Sequence, residues 1–134
     1  MTRSPAIGQH LLADLSGVSA ALLRDSGALE SLLRAAARAA GATVLGSHFH
    51  HFGAGGGVTG VVLLAESHIS LHTWPETGFA AADVFMCGHA DPQAAIAVLL
   101  AALEPGESRI EVVDRGAMSP VVAVSGAAAP ARNS

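Results

Sequence analysis

The stretch Val58-TGVVLLA-Glu66-Ser67-HISLHT-Trp74-Pro75-Glu76-TG-Phe79-AAADVFM-Cys87 decides the fold. It holds three runs with strand character, Val58 to Ala65, His68 to Trp74 and Ala80 to Cys87, separated only by hairpin-length connections. Links that short leave no room for a crossover helix, so consecutive strands run antiparallel. Upstream, Thr43 to Phe52 reads as a strand carrying His48 and His50 on one face, and Gly53-Ala54-Gly55-Gly56-Gly57 after it has to be a loop. From Ser26 the period changes to 3.6. Leu29, Leu32, Leu33, Ala36, Ala37 and Ala40 share one face, Glu30, Arg34 and Arg38 the other, and Gly41 stops the helix. Gly8 to Ser16 reads as a first strand, with Leu11, Leu12 and Leu15 apolar. Downstream, Asp91 suits an N-cap and Pro92 the first helical position, Ile96, Leu99, Leu100 and Leu103 form the buried stripe, and Pro105-Gly106 ends the helix. Ser108 to Asp114 is a last strand.

This order predicts an α+β fold: a two-layer sandwich with a mainly antiparallel sheet covered on one face by two helices. The other face is left apolar or functional, and a second copy of the chain is its natural cover. A chain of 134 residues, 51% hydrophobic, suits one domain, expected over residues 1–118, with an Ala-, Pro- and Ser-rich flexible tail at 119–134.

Charge and composition exclude several classes. The net charge of −4 comes from scattered residues, with no basic stripe for nucleic acid or anionic lipid. No run reaches the ~18 apolar residues of a membrane span, and the first residues lack a signal-peptide pattern, so a cytoplasmic protein is expected. Cys87 is the single cysteine, so no intrachain disulfide can form. Every basic residue is arginine. Without lysine the chain can neither hold pyridoxal phosphate nor build a Walker-type phosphate loop, and amine chemistry needs another carbonyl.

Chemistry-bearing residues crowd into Glu66-Ser67-His68, His72-Thr73-Trp74-Pro75-Glu76 and Ala80-Ala81-Ala82-Asp83-Val84-Phe85-Met86-Cys87-Gly88, in a chain otherwise dominated by Ala, Leu, Val and Gly. In order and spacing these segments resemble the short prokaryotic S-adenosylmethionine decarboxylase proenzymes. The likeness extends through Gly8-Gln9-His10-Leu11-Leu12-Ala13, Gly41-Ala42-Thr43-Val44-Leu45 and Gly57-Val58-Thr59-Gly60, over most of residues 8–116.

The resemblance implies self-cleavage between Glu66 and Ser67 into a β chain, 1–66, and an α chain, 67–134. Ser67 attacks the Glu66 carbonyl, elimination breaks the chain, and hydrolysis with loss of ammonia leaves a pyruvoyl group derived from Ser67. Serine is required because its hydroxyl is both nucleophile and leaving group. The resemblance assigns proton handling to His72, support of the processing intermediate to Thr59, and the later proton donation to Cys87. The ketone forms a Schiff base with the substrate amine and acts as electron sink for decarboxylation, serving polyamine (spermidine) synthesis. Trp74 and Phe52 are implied around the sulfonium and adenine of S-adenosylmethionine, and Glu76 on the ribose. If Ala80 to Cys87 is a strand, Asp83 and Cys87 share a face and can point into one cleft. After Phe52 the loop lacks the family's Pro-Gln and is one residue longer, which makes it more flexible. The implied assembly is a homodimer of cleaved protomers.

Two other readings stay open: a pyruvoyl decarboxylase of the same fold acting on ornithine or arginine, and an uncut paralogue that binds a ligand or metal without catalysis. Taken singly, Ser67 would be a turn serine, His72 a strand histidine, Cys87 a small buried hydrophobe, Trp74 core and Glu76 solvated. Their joint spacing is what favours the site. His48, His50 and His51, with His68 and His72, invite a zinc reading. Zinc needs three or four convergent ligands, which spacing alone does not supply, so they are read as polar strand positions flanking the cleft and no metal is expected.

Overall fold

The computed structural model describes residues 6–116, so the expected tail at 119–134 lies outside the described residues. The elements in chain order are β1 (Gly8–Ser16), α1 (Ala20–Leu23), α2 (Ser26–Ala39), β2 (Val44–His51), β3 (Val58–Leu64), β4 (Ser67–Trp74), β5 (Phe79–Cys87), α3 (Pro92–Leu103) and β6 (Glu107–Arg115). The six strands form one sheet in the order β2-β3-β4-β5-β1-β6, with every neighbouring pair antiparallel. The expected two-layer α+β architecture is what forms, with one helix more than predicted. Ser19 caps α1 by accepting from the Leu22 N–H. A single turn is too short to show a helical period, so nothing in the pattern announced it.

Alternation along the strands sends Leu11, Ala13, Leu15, Val58, Val62, Leu64, Ile69, Leu71, Ala80, Ala82, Val84 and Met86 to one face, all buried. There they meet Leu29, Leu33, Ala36 and Ala37 of α2 and Ala95, Ile96, Leu99 and Leu103 of α3. Asp25 accepts from the Ala28 N–H at the start of α2, and Asp91 from the Gln93 N–H at the start of α3. The α3 helix ends at Glu104, left-handed at φ 45°, one residue before the Pro105-Gly106 read as its stop.

Thr73 is the buried polar residue of this core. Its hydroxyl accepts from the Val58 N–H at 2.8 Å and donates to the Leu23 carbonyl at 2.7 Å, tying β4 to β3 and to α1. The glycine-rich loop is closed by Phe52 N–H to the Gly57 carbonyl and Gly56 N–H to the Gly53 carbonyl. A Cβ on Gly57 would stand 2.0 Å from the Thr73 carbonyl oxygen, so glycine there admits a close backbone approach that a side chain would block.

The opposite face of the sheet carries no helix. It presents His48 and His50 from β2, Thr59, Val61 and Leu63 from β3, His68, Ser70, His72 and Trp74 from β4, Asp83, Phe85 and Cys87 from β5, and His10 and Leu12 from β1.

Candidate active site

Leu64 pairs with Ser67, so β3 and β4 are joined by the two-residue turn Ala65-Glu66. Glu66 takes φ 62°, in the left-handed region that a residue with a Cβ occupies at a cost of about 1–2 kcal/mol. Its carbonyl, which belongs to the Glu66–Ser67 peptide bond, accepts from the Cys87 thiol at 3.2 Å. The Ser67 hydroxyl donates to the Ala65 carbonyl at 3.2 Å. Thr43, Glu66, Ser67, Cys87 and His89 line a cleft of about 290 Å³ at this end of the sheet. The bond expected to break therefore lies in a strained turn, with a donor on its oxygen and the hydroxyl of the adjacent residue beside it.

At the other end of β4, Phe52, Gly56, Thr59, His72, Trp74 and Glu76 line a second cleft of about 550 Å³. Thr59 Oγ1 and His72 Nδ1 are 3.1 Å apart, across a register pair of β3 and β4. The His72 and Trp74 rings lie 6.4 Å apart, and Trp74 leans on Phe79 at 5.4 Å. Both aromatic residues of the cleft face solvent, Phe52 at 60% and Trp74 at 42% exposure, with His50 edge-on to Phe52 at 4.6 Å.

The residues singled out in the sequence thus gather into two groups that do not meet within one chain. Glu66, Ser67 and Cys87 form one, and Phe52, Thr59, His72, Trp74 and Glu76 the other. At about 3.3 Å per residue of strand, roughly 16 Å separates the Cα atoms of Ser67 and His72, and an odd step along β4 sends their side chains to opposite faces. Proton transfer between them inside one chain is ruled out by that distance. Asp83 and Cys87 share a face as expected, but they do not share a cleft. Asp83 opens with Leu12, Asp14, Ser70, His72 and Glu111 into a third groove, which meets the second cleft at His72.

His10 belongs to none of the chemistry-bearing segments of the sequence, yet it joins a polar cluster on the open face. Its Nε2 lies 2.5 Å from Asp83 Oδ2, and His68 Nε2 lies 2.7 Å from the same oxygen. Ser70 donates to the other carboxylate oxygen. Burial alone would raise the Asp83 pKa, but the hydrogen bonds from Ser70, His10 and His68, with the His68 charge, hold it below the ordinary value. His68 thus converges with a residue of β1 rather than with His48 or His50, and only the sheet order, which sets β1 beside β5, makes that visible.

Fold and site together define a class: an α+β enzyme that places a serine behind a left-handed turn residue at the head of a strand, with a thiol on the intervening carbonyl. The sequence profile of the S-adenosylmethionine decarboxylase family matches residues 9–116. The S-adenosylmethionine decarboxylase proenzyme of Pyrobaculum aerophilum is 44% identical over 107 residues, covering 79% of this chain and 84% of the relative. That of Methanococcus aeolicus is 42% identical over 113 residues, covering 84% and 96%. The crystal structure of the adenosylmethionine decarboxylase from Aquifex aeolicus VF5 superposes with a TM-score of 0.79 at 38% identity, covering 90% of this chain and all of that one. The chain belongs to the S-adenosylmethionine decarboxylase family. No helix among the described residues is long and apolar enough to cross a membrane.

Proposed function

We propose that this chain cuts itself between Glu66 and Ser67, converts Ser67 to a pyruvoyl group, and as a dimer decarboxylates S-adenosylmethionine to the aminopropyl donor of polyamine synthesis. The observation that carries the reading is the Glu66–Ser67 turn, where the left-handed Glu66 offers its carbonyl to the Cys87 thiol. Rotation about χ1 turns the Ser67 oxygen from the Ala65 carbonyl toward the Glu66 carbonyl carbon. A new C–O bond replaces the C–N bond, and leaving the left-handed turn releases its strain. The Cys87 S–H stands where negative charge develops on the carbonyl oxygen. Loss of the Ser67 α-proton then expels the Glu66 carboxylate. Addition of water to the remaining alkene-amine, with departure of ammonia, completes a ketone.

The residues present fit that group: a serine at a strand end, an adjacent cleft, and a thiol within reach of the turn. A pyruvoyl ketone at position 67 would supply the amine-capturing carbonyl and electron sink that a chain without lysine cannot obtain from pyridoxal phosphate. The Cys87 thiol then supplies a proton to the substrate carbon. Recognition falls to the second cleft, where Trp74 and Phe52 offer aromatic faces to the sulfonium at about 0.5–2 kcal/mol per contact and Glu76 accepts from ribose hydroxyls.

The separation of the two clefts supports a shared site. Cys87, Thr59, His72 and Trp74 all belong to the sheet face that carries no helix, together with Leu12 and Leu63, exposed at 39% and 53%. Two copies related by a two-fold axis and stacked on this face would lay the Thr59–His72–Trp74 end of one over the Glu66–Ser67–Cys87 end of the other, giving two identical sites.

Intact mass combined with carbonyl trapping tests the reading. The expected result is two fragments, 1–66 and 67–134, the second taking up hydroxylamine and lacking a free amino terminus, together with carbon dioxide release from S-adenosylmethionine. Ser67→Ala should remain whole. A chain that stays uncut, or that releases carbon dioxide from ornithine or arginine alone, overturns it.

A further inference from the structure

A hydrogen-bonded chain crosses the open face of the sheet outside both clefts described above. Arg115 of β6 donates from Nη1 to His10 Nδ1 at 2.8 Å. Arginine only donates, so Nδ1 bears no proton, and the ring proton sits on Nε2, aimed at Asp83 Oδ2 at 2.5 Å. His68 donates to the same oxygen at 2.7 Å, and Ser70 donates to Oδ1. Phe85 underlies the assembly, with the His10 ring edge-on at 5.5 Å and the Arg115 guanidinium 5.9 Å above it. The ligand atoms of His10, His68 and Asp83 lie within 4.8 Å of one another, close enough for a cation. Arg115 argues against one, because it forces the proton onto the His10 nitrogen that a metal would need free.

The cluster acts on the strand that begins with Ser67. The β4–β5 ladder starts at His68 opposite Phe85, whereas Ser67 is paired with Leu64 across the Ala65-Glu66 turn. In the uncut chain the turn holds the head of β4 covalently. Once the Glu66–Ser67 bond opens, both sides of that corner become chain ends, and ends fray unless tied down. The first side chain after the break is His68, already held by Asp83, with Ser70 held by the other oxygen. Asp83 is carried on β5, the strand that ends in Cys87, and on the same face.

We propose that Asp83 is a positioning residue: through His68 and Ser70 it keeps the cofactor-bearing end of β4 in register with Cys87 after the backbone has opened. The inference rests on the cleavage reading above. The demand is steep, because a displacement of about 1 Å between reacting groups can lower a rate on the order of 10²-fold.

The experiment sets Asp83→Asn in two backgrounds, the cleaving chain and the uncut Ser67→Ala chain. In the cleaving chain, carbonyl titration counts pyruvoyl groups, kcat is expressed per pyruvoyl, and KM is measured alongside. Hydrogen exchange over residues 67–74 is compared in both. The expected result is a fall in kcat per pyruvoyl of about tenfold or more with KM nearly unchanged, since recognition lies in the other cleft. Exchange in residues 67–74 should accelerate far more in the cut protein than in the uncut one. Ser70→Ala, which removes one partner of Asp83 and adds no bulk, should shift the same readouts in the same direction, and it decides the matter if Asp83→Asn does not fold. Unchanged kcat per pyruvoyl, or equal acceleration in both backgrounds, overturns the positioning role and leaves cleavage standing. A parent chain that never cuts overturns both.

Discussion

At Glu66 a side chain occupies backbone space that glycine, asparagine or aspartate would fill more cheaply, and the peptide that follows it is the one whose carbonyl the Cys87 thiol meets. If that thiol assists cleavage as a donor, the two steps assigned to Cys87 separate by substitution. Cys87→Ala, which removes the donor, should slow the appearance of the two fragments on the order of 10²-fold, while Cys87→Ser keeps an O–H in place and should cut within severalfold of the parent rate. Decarboxylation per pyruvoyl should be lost in both, because a serine hydroxyl is a far weaker acid than a thiol. Following fragment masses with time checks the first step and carbon dioxide release the second. Equal cutting by parent and Cys87→Ala would remove the thiol from processing. The residue types of this corner were legible in the sequence, since serine, acid and thiol stood out against an Ala- and Leu-rich background. The left-handed φ was not, because Glu66 carries no glycine-like signal.

Among the elements, Asp83 concentrates the polar bonding of the open face, joining β5 to β4 through His68 and Ser70 and to β1 through His10. Its pKa is lowered in the folded chain, so its carboxylate adds stability above the ordinary value of 3.8, and that contribution is lost as pH falls through the lower folded value. The stability difference between parent and Asp83→Asn should therefore shrink in acid solution, as pH falls below the ordinary value of 3.8. Thermal melts of the uncut Ser67→Ala background, with and without Asp83→Asn, measure it. A difference that stayed undiminished below that value would contradict the assignment. At this scale all six strands, α2 and α3 follow from hydrophobic period, turn residues and caps to within a residue or two. The one-turn α1 and the His10–Asp83 contact do not, because the first is shorter than a period and the second depends on which strands become neighbours.

For the whole molecule, the proposed shared site depends on the distance between the two clefts. Ser67→Ala and His72→Ala chains should each be inactive alone. Co-expressed as a mixed dimer, they would bring an intact Ser67 from the His72→Ala copy against an intact His72 from the Ser67→Ala copy, restoring cutting at one of the two sites. Differently tagged copies, purified for both tags and analysed by mass, check this. Failure of any mixed dimer to cut would mean that each chain works alone. The amino-acid sequence by itself determined the antiparallel α+β plan, because apolar period and short connections leave few ways to bury one face. It also determined the chemical inventory, because residue type is a local property. The tertiary structure alone decided where that inventory meets: an extended strand carries neighbouring motif residues roughly 16 Å apart, while pairing across the sheet brings His10, remote in sequence, onto Asp83.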